Sequence, residues 1–188
     1  MDHRPVLYIP IGLPGSGKTS FFRRMKGIRI ISGDDVRREL FGSEQIQCSD
    51  AFLLERGIDI AGMKKSQRRA LCNEYVWGIV NQRVEQVLVS GEDCVYEGLN
   101  VRQARRRETI RRYGKIAVIH GVWFDVKIDV CIRRDGRRSR SVGRRVICLQ
   151  ASRFDRPVME EGYDILDTVD ENGVLVSRLR RSGDQPET

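Results

Sequence analysis

The chain of 188 residues carries 34 Lys and Arg against 26 Asp and Glu, a net charge of +8, and 40% of its residues are hydrophobic. This length suits one globular domain, and the composition excludes disordered and collagen-like chains. The positive charge favours anionic partners such as phosphates or nucleic acid.

The five cysteines are scattered and form no C-x-x-C pair. Such spacing argues against a disulfide framework and a zinc site, and it predicts small packing residues in a reducing cytoplasm. No apolar run approaches the ~18 residues of a membrane span, and Pro10 and Pro14 interrupt the short apolar N-terminus. We therefore expect a cytoplasmic protein without a secretory signal or a membrane helix.

Short apolar runs alternate with longer polar, periodic stretches, which predicts a mainly parallel α/β sheet flanked by helices. The predicted strands cover residues 6–11, 28–31, 93–96 and 116–124. The last of them is expected to be central because its apolar run is nearly continuous. The predicted helices cover residues 19–25, 34–41 with Asp34 as N-cap, 67–90, 101–113 and 126–132. Residues 163–169 and 174–179 are predicted to form a hairpin, whereas residues 43–66 give no clear pattern.

Residues 12–19 read GLPGSGKT, which satisfies the motif G-x-x-x-x-G-K-[ST] between a predicted strand and a predicted helix. Glycines let backbone N–H groups turn inward around a phosphate. Lys18 is expected to reach the β- and γ-phosphates of a nucleotide, and the Thr19 hydroxyl to ligate Mg²⁺ directly. We therefore predict a site for ATP and Mg²⁺. The other phosphate-binding residues of this loop are Gly12, Pro14, Gly15, Ser16, Gly17 and Ser20.

A second motif, SGDDVR at residues 32–37, follows the second predicted strand, which a doubly wound sheet is expected to place beside the phosphate loop. The Asp34 carboxylate is expected to face the γ-phosphate and to orient an acceptor hydroxyl as general base. Arg37, one helical turn later, could hold an anionic part of the same acceptor. Alternatively, Asp34 only caps the helix and Arg37 is solvated.

In this order GLPGSGKTS, SGDDVRREL, VYEGLN and RRDGRR resemble the kinase domain of the P-loop 5′-polynucleotide kinase family, over residues 6–163. The resemblance implies a P-loop kinase fold and transfer of the γ-phosphate of ATP to the 5′-hydroxyl end of RNA or DNA. It implies Lys18 and Asp34 as catalytic residues and Arg37 in contact with the acceptor's 3′-phosphate. It also implies a lid over residues 133–145, in which Arg134 and Arg138 close over ATP and Arg138 stabilises the transition-state charge.

The third predicted strand ends in the string EGLN at residues 97–100, where the family usually has Asp in a D-x-x-N or D-T-N string. We expect Glu97 and Asn100 to contact the acceptor, and Asp34 and Glu97 to reach the metal through water. Alternatively, Glu97 is the partner of Arg37. The D-x-D-G-T phosphatase signature that some members carry behind the kinase is absent. We therefore expect one kinase domain over residues 1–188, with a separate phosphatase or ligase as a repair partner.

Two arginine-rich segments need separate interpretations. The helix predicted over residues 101–113 carries six arginines and one acid, which fits either a solvated face or a surface that follows nucleic-acid phosphates. Residues 133–145 carry seven arginines at the place where kinases have a lid, which favours a function in phosphoryl transfer. His3 and His120 are isolated, and His120, inside an apolar strand, is predicted to be a hydrogen-bonded core residue.

These observations favour an ATP-dependent polynucleotide 5′-hydroxyl kinase. One alternative is a P-loop kinase for a small hydroxylated substrate such as a sugar, an antibiotic or a nucleotide sugar. The net charge and the arginine-rich helix argue against it, because a small neutral substrate needs neither. Another alternative is a nucleotide-dependent binding or regulatory module, against which the combination of Asp34, Arg37 and the lid arginines argues. The choice between RNA and DNA and the base-binding residues stay open.

Overall fold

A computed structural model describes residues 4–181. The strands are β1 (Val6–Ile11), β2 (Arg29–Ser32), β3 (Cys94–Glu97), β4 (Val118–Phe124), β5 (Ile165–Val169) and β6 (Leu175–Arg180). The helices are α1 (Lys18–Phe22), α2 (Gly33–Phe41), α3 (Asp50–Glu55), α4 (Lys65–Val89), α5 (Gln103–Tyr113), α6 (Ile128–Asp135) and α7 (Arg144–Ala151). A 3₁₀ turn at Met159–Glu161 precedes β5. None of the described helices is long and apolar enough to cross a membrane.

The strands form one sheet in the order β2-β3-β1-β4-β5-β6. β1 pairs in parallel with β3 and β4, and β4 pairs in parallel with β5. β6 returns antiparallel to β5 through a short turn, as the predicted hairpin requires. The alternation of elements thus predicted the mainly parallel α/β sheet correctly. The central place of β4 is also confirmed, because it has a partner strand on each side.

β3 lies beside β1 on the side away from β4. The sheet order puts β3 next to β1, with Leu7 opposite Cys94 and Tyr8 opposite Val95. β2 is therefore separated from β1 by β3. Glu97, the last residue of β3, therefore adjoins the loop that follows β1.

The chain divides into two compact units, and the division falls within β2 and α4. The larger unit contains the residues up to Ile30 and from Val87 onward, and its core includes Phe22, Phe124 and Ile147. The smaller unit is Ile31–Gln86, and its core contains Phe52, Leu53 and Cys72. The single domain over residues 1–188 stays a prediction.

Helix α2 begins with a different cap from the predicted one. Ser32 is the N-cap, with extended backbone angles (φ −126°, ψ 142°), and its hydroxyl accepts a hydrogen bond from the Asp35 backbone N–H at 3.1 Å. Asp34 therefore lies inside the first turn, where its carboxylate is not used as the cap. The helix ends at Phe41, as predicted, and Gly42 (φ 78°) is its C-cap.

Helices α3 and α7 were not predicted. α3 has six residues, capped by the Ser49 hydroxyl, and so small an element shows little periodicity. α7 begins at Arg144, inside the arginine-rich segment, where charge concealed its apolar face around the buried Ile147. Helix α6 extends three residues beyond the predicted end and so includes Arg134 and Asp135.

The isolated residues behave largely as predicted. His120 is buried, and its Nε2 lies 2.9 Å from Asp167 Oδ2, which confirms a hydrogen-bonded core histidine. His3 lies outside the described residues. All five cysteines are free, and three of them, Cys72, Cys94 and Cys131, are buried.

Arg106 is an exception to both interpretations of the arginine-rich helix α5. Its side chain is fully buried, and Nε and Nη2 donate hydrogen bonds to the Glu161 carboxylate at 2.7 and 2.6 Å. Tyr163 Oη donates a further hydrogen bond to Glu161 at 3.1 Å. Arg106 therefore anchors α5 to the 3₁₀ turn and is not available to a ligand. The other five arginines of this segment are exposed, namely Arg102, Arg105, Arg107, Arg111 and Arg112.

Removal of Arg106 should strongly destabilise the fold. Arg106→Met should lower the free energy of unfolding by about 3–5 kcal/mol, because it leaves the Glu161 carboxylate buried without its cation. Arg105→Ala, next to it, removes an exposed pair with Glu108 (3.3 Å) and should change stability by less than about 1 kcal/mol. Urea unfolding of both variants measures the difference. Equal losses in the two variants would show that the buried pair has no special weight.

Candidate active site

The loop between β1 and α1 is held in shape by glycines. Gly15 and Gly17 have positive φ angles (83° and 100°), which glycine adopts without strain. A Cβ on Gly15 would lie 2.3 Å from the carbonyl oxygen of Cys131 in α6, so any side chain there would displace the loop from that helix. The sequence motif and the backbone geometry thus agree on a loop shaped to surround a phosphate.

Lys18 is buried at the start of α1 and turned toward its own loop. Its Nζ donates hydrogen bonds to the carbonyl oxygens of Gly12 and Leu13, at 2.8 and 2.7 Å, and to Ser16 Oγ at 3.2 Å. Burial, together with the positive charge of Arg138 and against the opposing effects of Cys131 and Glu97, lowers the pKa of Lys18 to about 7. The amine is held where an incoming phosphate would restore its charge.

This lowered pKa predicts a pH dependence of nucleotide binding. A bound phosphate raises the pKa of Lys18, so binding above about pH 7 should take up a proton, and affinity should fall by up to about tenfold per pH unit there. Below pH 7 the amine is already charged and the dependence should vanish. Calorimetry with ADP in buffers of different ionisation enthalpy measures the uptake. Lys18→Met should abolish it, and Lys26→Met, at an exposed lysine, should not; uptake that persists in Lys18→Met would assign the proton to another group.

Thr19, in the first turn of α1, lies beside Glu97, the last residue of β3. The Thr19 hydroxyl donates a hydrogen bond to Glu97 Oε1 at 2.5 Å. A hydroxyl and a carboxylate are hard oxygen donors, which suits Mg²⁺ because this ion is usually held by one or two carboxylates together with substrate phosphates. The two residues therefore fit the predicted metal role.

The Asn100 side chain is hydrogen-bonded to the backbone of β1 and β3. It is the one described non-glycine residue with a positive φ (48°), and its Nδ2 donates to the Pro10 carbonyl at 2.8 Å and to the Tyr96 carbonyl at 3.4 Å. The Gly12 backbone N–H donates to the Leu99 carbonyl beside it, at 3.1 Å. These bonds fix the EGLN string against β1, so the predicted contact of Asn100 with an acceptor would have to use its amide oxygen.

A cleft of about 280 Å³ opens beside the phosphate loop. Its walls come from the loop, α1, the end of α6 and the turn between β5 and β6. Both predicted lid arginines, Arg134 and Arg138, line it, and Arg134 Nη2 donates to the Glu171 carbonyl at 2.8 Å. The remaining lining residues are Gly15, Ser16, Gly17, Ser20, Phe21, Arg24, Phe124, Glu171, Asn172 and Gly173. The sequence had indicated only a hairpin turn at residues 171–173, with no sign that it lines a site.

Asp135, the single acid in the arginine-rich segment, organises the loop after α6. Its carboxylate accepts hydrogen bonds from Ser141 Oγ at 2.6 Å and from the Gly143 backbone N–H at 3.0 Å. Burial raises the pKa of Asp135, but these hydrogen bonds outweigh it and lower the pKa below its usual range. This residue was missed because its role depends on a loop conformation that the sequence does not reveal.

Asp34 and Arg37 belong to the smaller unit. Asp34 is exposed, and its Oδ1 lies 3.6 Å from Arg37 Nη1. Arg37 is buried rather than solvated, 8% exposed, and its Nη2 donates to Asn73 Oδ1 at 2.9 Å. The bland alternative, a capping aspartate and a solvated arginine, is therefore wrong for both residues.

The AAA domain family model matches residues 7–157 of the chain. A search of curated proteins finds no match. The chain resembles a subunit of the Pnkp1/Rnl/Hen1 RNA repair complex (18% identity, TM-score 0.60), and the match covers 81% of this chain and 45% of that one. It also resembles a putative kinase from Chloroflexus aurantiacus j-10-fl, with 21% identity and a TM-score of 0.56, over 89% of this chain and 88% of that one. A gluconokinase from Sinorhizobium meliloti 1021 is similar as well, with 17% identity and a TM-score of 0.52, over 89% of this chain and 83% of that one. The chain thus spans less than half of the repair-complex subunit, and these likenesses concern the fold.

Proposed function

The chain belongs to the AAA domain family and has the P-loop kinase fold, and we propose that it is an ATP-dependent kinase acting on the 5′-hydroxyl end of RNA or DNA. The observation that carries the choice of acceptor is the Asp34–Arg37 pair. An exposed carboxylate one helical turn from a buried guanidinium suits an acceptor that has both a hydroxyl and a neighbouring phosphate. A nucleic-acid end has both groups, whereas a sugar has only the hydroxyl.

Further support comes from charge. The net charge is +8, and five exposed arginines on and beside α5 could neutralise backbone phosphates. The similarity of the fold to a subunit of an RNA repair complex also supports such an acceptor. The free cysteines suit a reducing cytoplasm, where a separate phosphatase or ligase would act on the same ends.

In the proposed reaction the 5′-hydroxyl oxygen attacks the γ-phosphorus of ATP, the bond to the β-phosphate oxygen breaks, and ADP leaves. Asp34 takes the hydroxyl proton as general base, and Arg37 holds the acceptor's 3′-phosphate. Lys18, Arg134 and Arg138 bind the transferring and leaving phosphates. Thr19 and Glu97 would hold Mg²⁺, which neutralises charge on the β- and γ-phosphates when bound.

The second candidate is a kinase of a small hydroxylated substrate, which the similarity to a gluconokinase over 83% of that chain favours. Incubation with γ-labelled ATP and a panel of 5′-hydroxyl oligonucleotides, nucleosides, sugars and aminoglycosides separates the two. We expect label on the oligonucleotides, with a 3′-phosphorylated dinucleotide preferred over the matching nucleoside. Label on a sugar but on no oligonucleotide would overturn the proposed acceptor and leave the kinase.

The salt dependence of acceptor binding should follow the number of phosphates contacted. With two to four contacts, log affinity for a single strand should fall with log salt at a slope of roughly −1.5 to −3. Arg105→Ala combined with Arg107→Ala should make the slope shallower, whereas Arg180→Ala, an exposed arginine on β6, should leave it unchanged. Fluorescence anisotropy of a labelled oligonucleotide gives the slopes. A flat salt response would favour the small acceptor.

A further inference from the structure

One face of α4 in the smaller unit combines a charge, an amide and an aromatic ring. Arg69, Asn73 and Trp77 are spaced four residues apart, so they lie on the same side of this helix. Asn73 Oδ1 accepts the hydrogen bond from Arg37, and its position is thereby fixed. A Cβ on Gly33 would lie 3.1 Å from Arg37 Nη1 and 3.4 Å from Trp77 Cη2. The guanidinium of Arg37 and the edge of the indole therefore meet at the same glycine.

The positive charges on this face suit an anionic ligand. The Arg37 side chain is about nine-tenths buried, and its Nε has no hydrogen-bond partner among the residues that the structure describes. Burial lowers the pKa of Arg37, and so does the positive charge of Arg69, while Asp34 opposes both. Two guanidiniums of like charge fit a phosphate because its oxygens accept several charge-assisted hydrogen bonds.

The Trp77 indole lies next to these charges. Its indole is half-buried, held at its edge against Gly33. A half-buried aromatic ring beside an anion site suits a nucleobase, because bases stack on aromatic rings independently of their sequence. A Cβ at Gly33 would be tight against the Arg37 guanidinium and in ordinary contact with the ring, so glycine relieves the crowding between them.

We infer that the Arg69–Asn73–Trp77 face of α4 binds the terminal nucleotide of the acceptor, with Trp77 stacked on its base and Arg69 joining Arg37 on its phosphate. Asn73 is a positioning residue that holds Arg37. The inference rests on the proposed function, and it assigns the base contact that the sequence leaves open. It commits to a nucleic-acid acceptor rather than a sugar.

Fluorescence can test the stack without catalysis. The chain has two tryptophans, and Trp123 is buried under the Arg156 guanidinium, 4.8 Å from its ring centre. In a Trp123→Phe protein, Trp77 is therefore the reporter. We expect its emission to be quenched by a 5′-hydroxyl, 3′-phosphate oligonucleotide, and much less by the same strand with an abasic terminal nucleotide. Equal quenching by the two strands would overturn the stack.

Kinetics then separate a binding role from a structural one. Trp77→Leu should raise KM for the natural strand about 5- to 150-fold and change KM for the abasic strand little, while Trp77→Phe should restore most of the loss. Arg69→Ala should raise KM for a 3′-phosphorylated dinucleotide but not for its 3′-hydroxyl form, and Lys65→Ala, at the exposed start of α4, should change neither. Equal losses on both strands for Trp77→Leu would show a structural residue.

The proposed function and the base contact of Trp77 can be disproved separately. If the wild-type protein labels sugars and no oligonucleotide, the proposed function is wrong, and quenching of Trp77 by that sugar would assign the same face to a saccharide ring and overturn the base contact. If the wild-type protein labels oligonucleotides but Trp77→Leu treats natural and abasic ends alike, the proposed function stands and this inference falls.

Discussion

Replacing Arg138 with alanine is expected to lower kcat for phosphate transfer by roughly 10³- to 10⁵-fold. Arg138 lines the cleft beside the phosphate loop, and it is close enough to Lys18 for its charge to lower the pKa of that amine. A guanidinium at this place would meet negative charge that grows on the transferring phosphate, so it would act mainly in the transition state. KM for the acceptor should therefore change little.

Single-turnover transfer from labelled ATP measures this effect. Arg137→Ala is the matched control, because Arg137 is its exposed neighbour on the same loop and is not among the lining residues of the cleft. Arg138→Lys should recover only part of the rate, since an ammonium keeps the charge but loses the paired donors. A variant with normal kcat and weakened acceptor binding would instead assign this segment to the nucleic-acid surface.

Asp34→Asn should reduce transfer by roughly two to four orders of magnitude, the usual contribution of a positioned base, while ATP binding is kept. The amide has nearly the same shape as the carboxylate but cannot accept the hydroxyl proton. The structure removes one competing explanation, because Ser32 caps α2 and the helix does not depend on the Asp34 side chain for that bond. Rapid-quench transfer and separate ATP titrations give the two quantities.

Asp35→Asn is the control for this variant. Asp35 lies in the same first turn and forms an exposed ion pair with Arg38 at 2.8 Å. Either variant removes one negative charge near the helix N-terminus, worth about 0.3–1 kcal/mol, so their thermal stabilities should be similar. Loss of transfer in Asp35→Asn with normal transfer in Asp34→Asn would move the general base by one residue.

Local patterns predicted the features that depend on neighbours in the sequence. The motif at residues 12–19 needs particular backbone angles and a lysine at a set distance along the chain, and the structure shows both around Lys18. The long apolar run of β4 indicated a strand covered on both faces. The Gly42 stop of α2 follows from the left-handed conformation that glycine tolerates.

Tertiary contacts decided what the sequence alone left equivalent. Six arginines around α5 look alike in sequence, yet Arg106 is buried against Glu161, 55 residues away, while the others are exposed. The buried Arg37 likewise has a distant partner, because it donates a hydrogen bond to Asn73, 36 residues later. A guanidinium is buried only where a distant carboxylate or amide compensates its lost hydration. The spacing of residues along the chain does not show which partner the fold will bring to it.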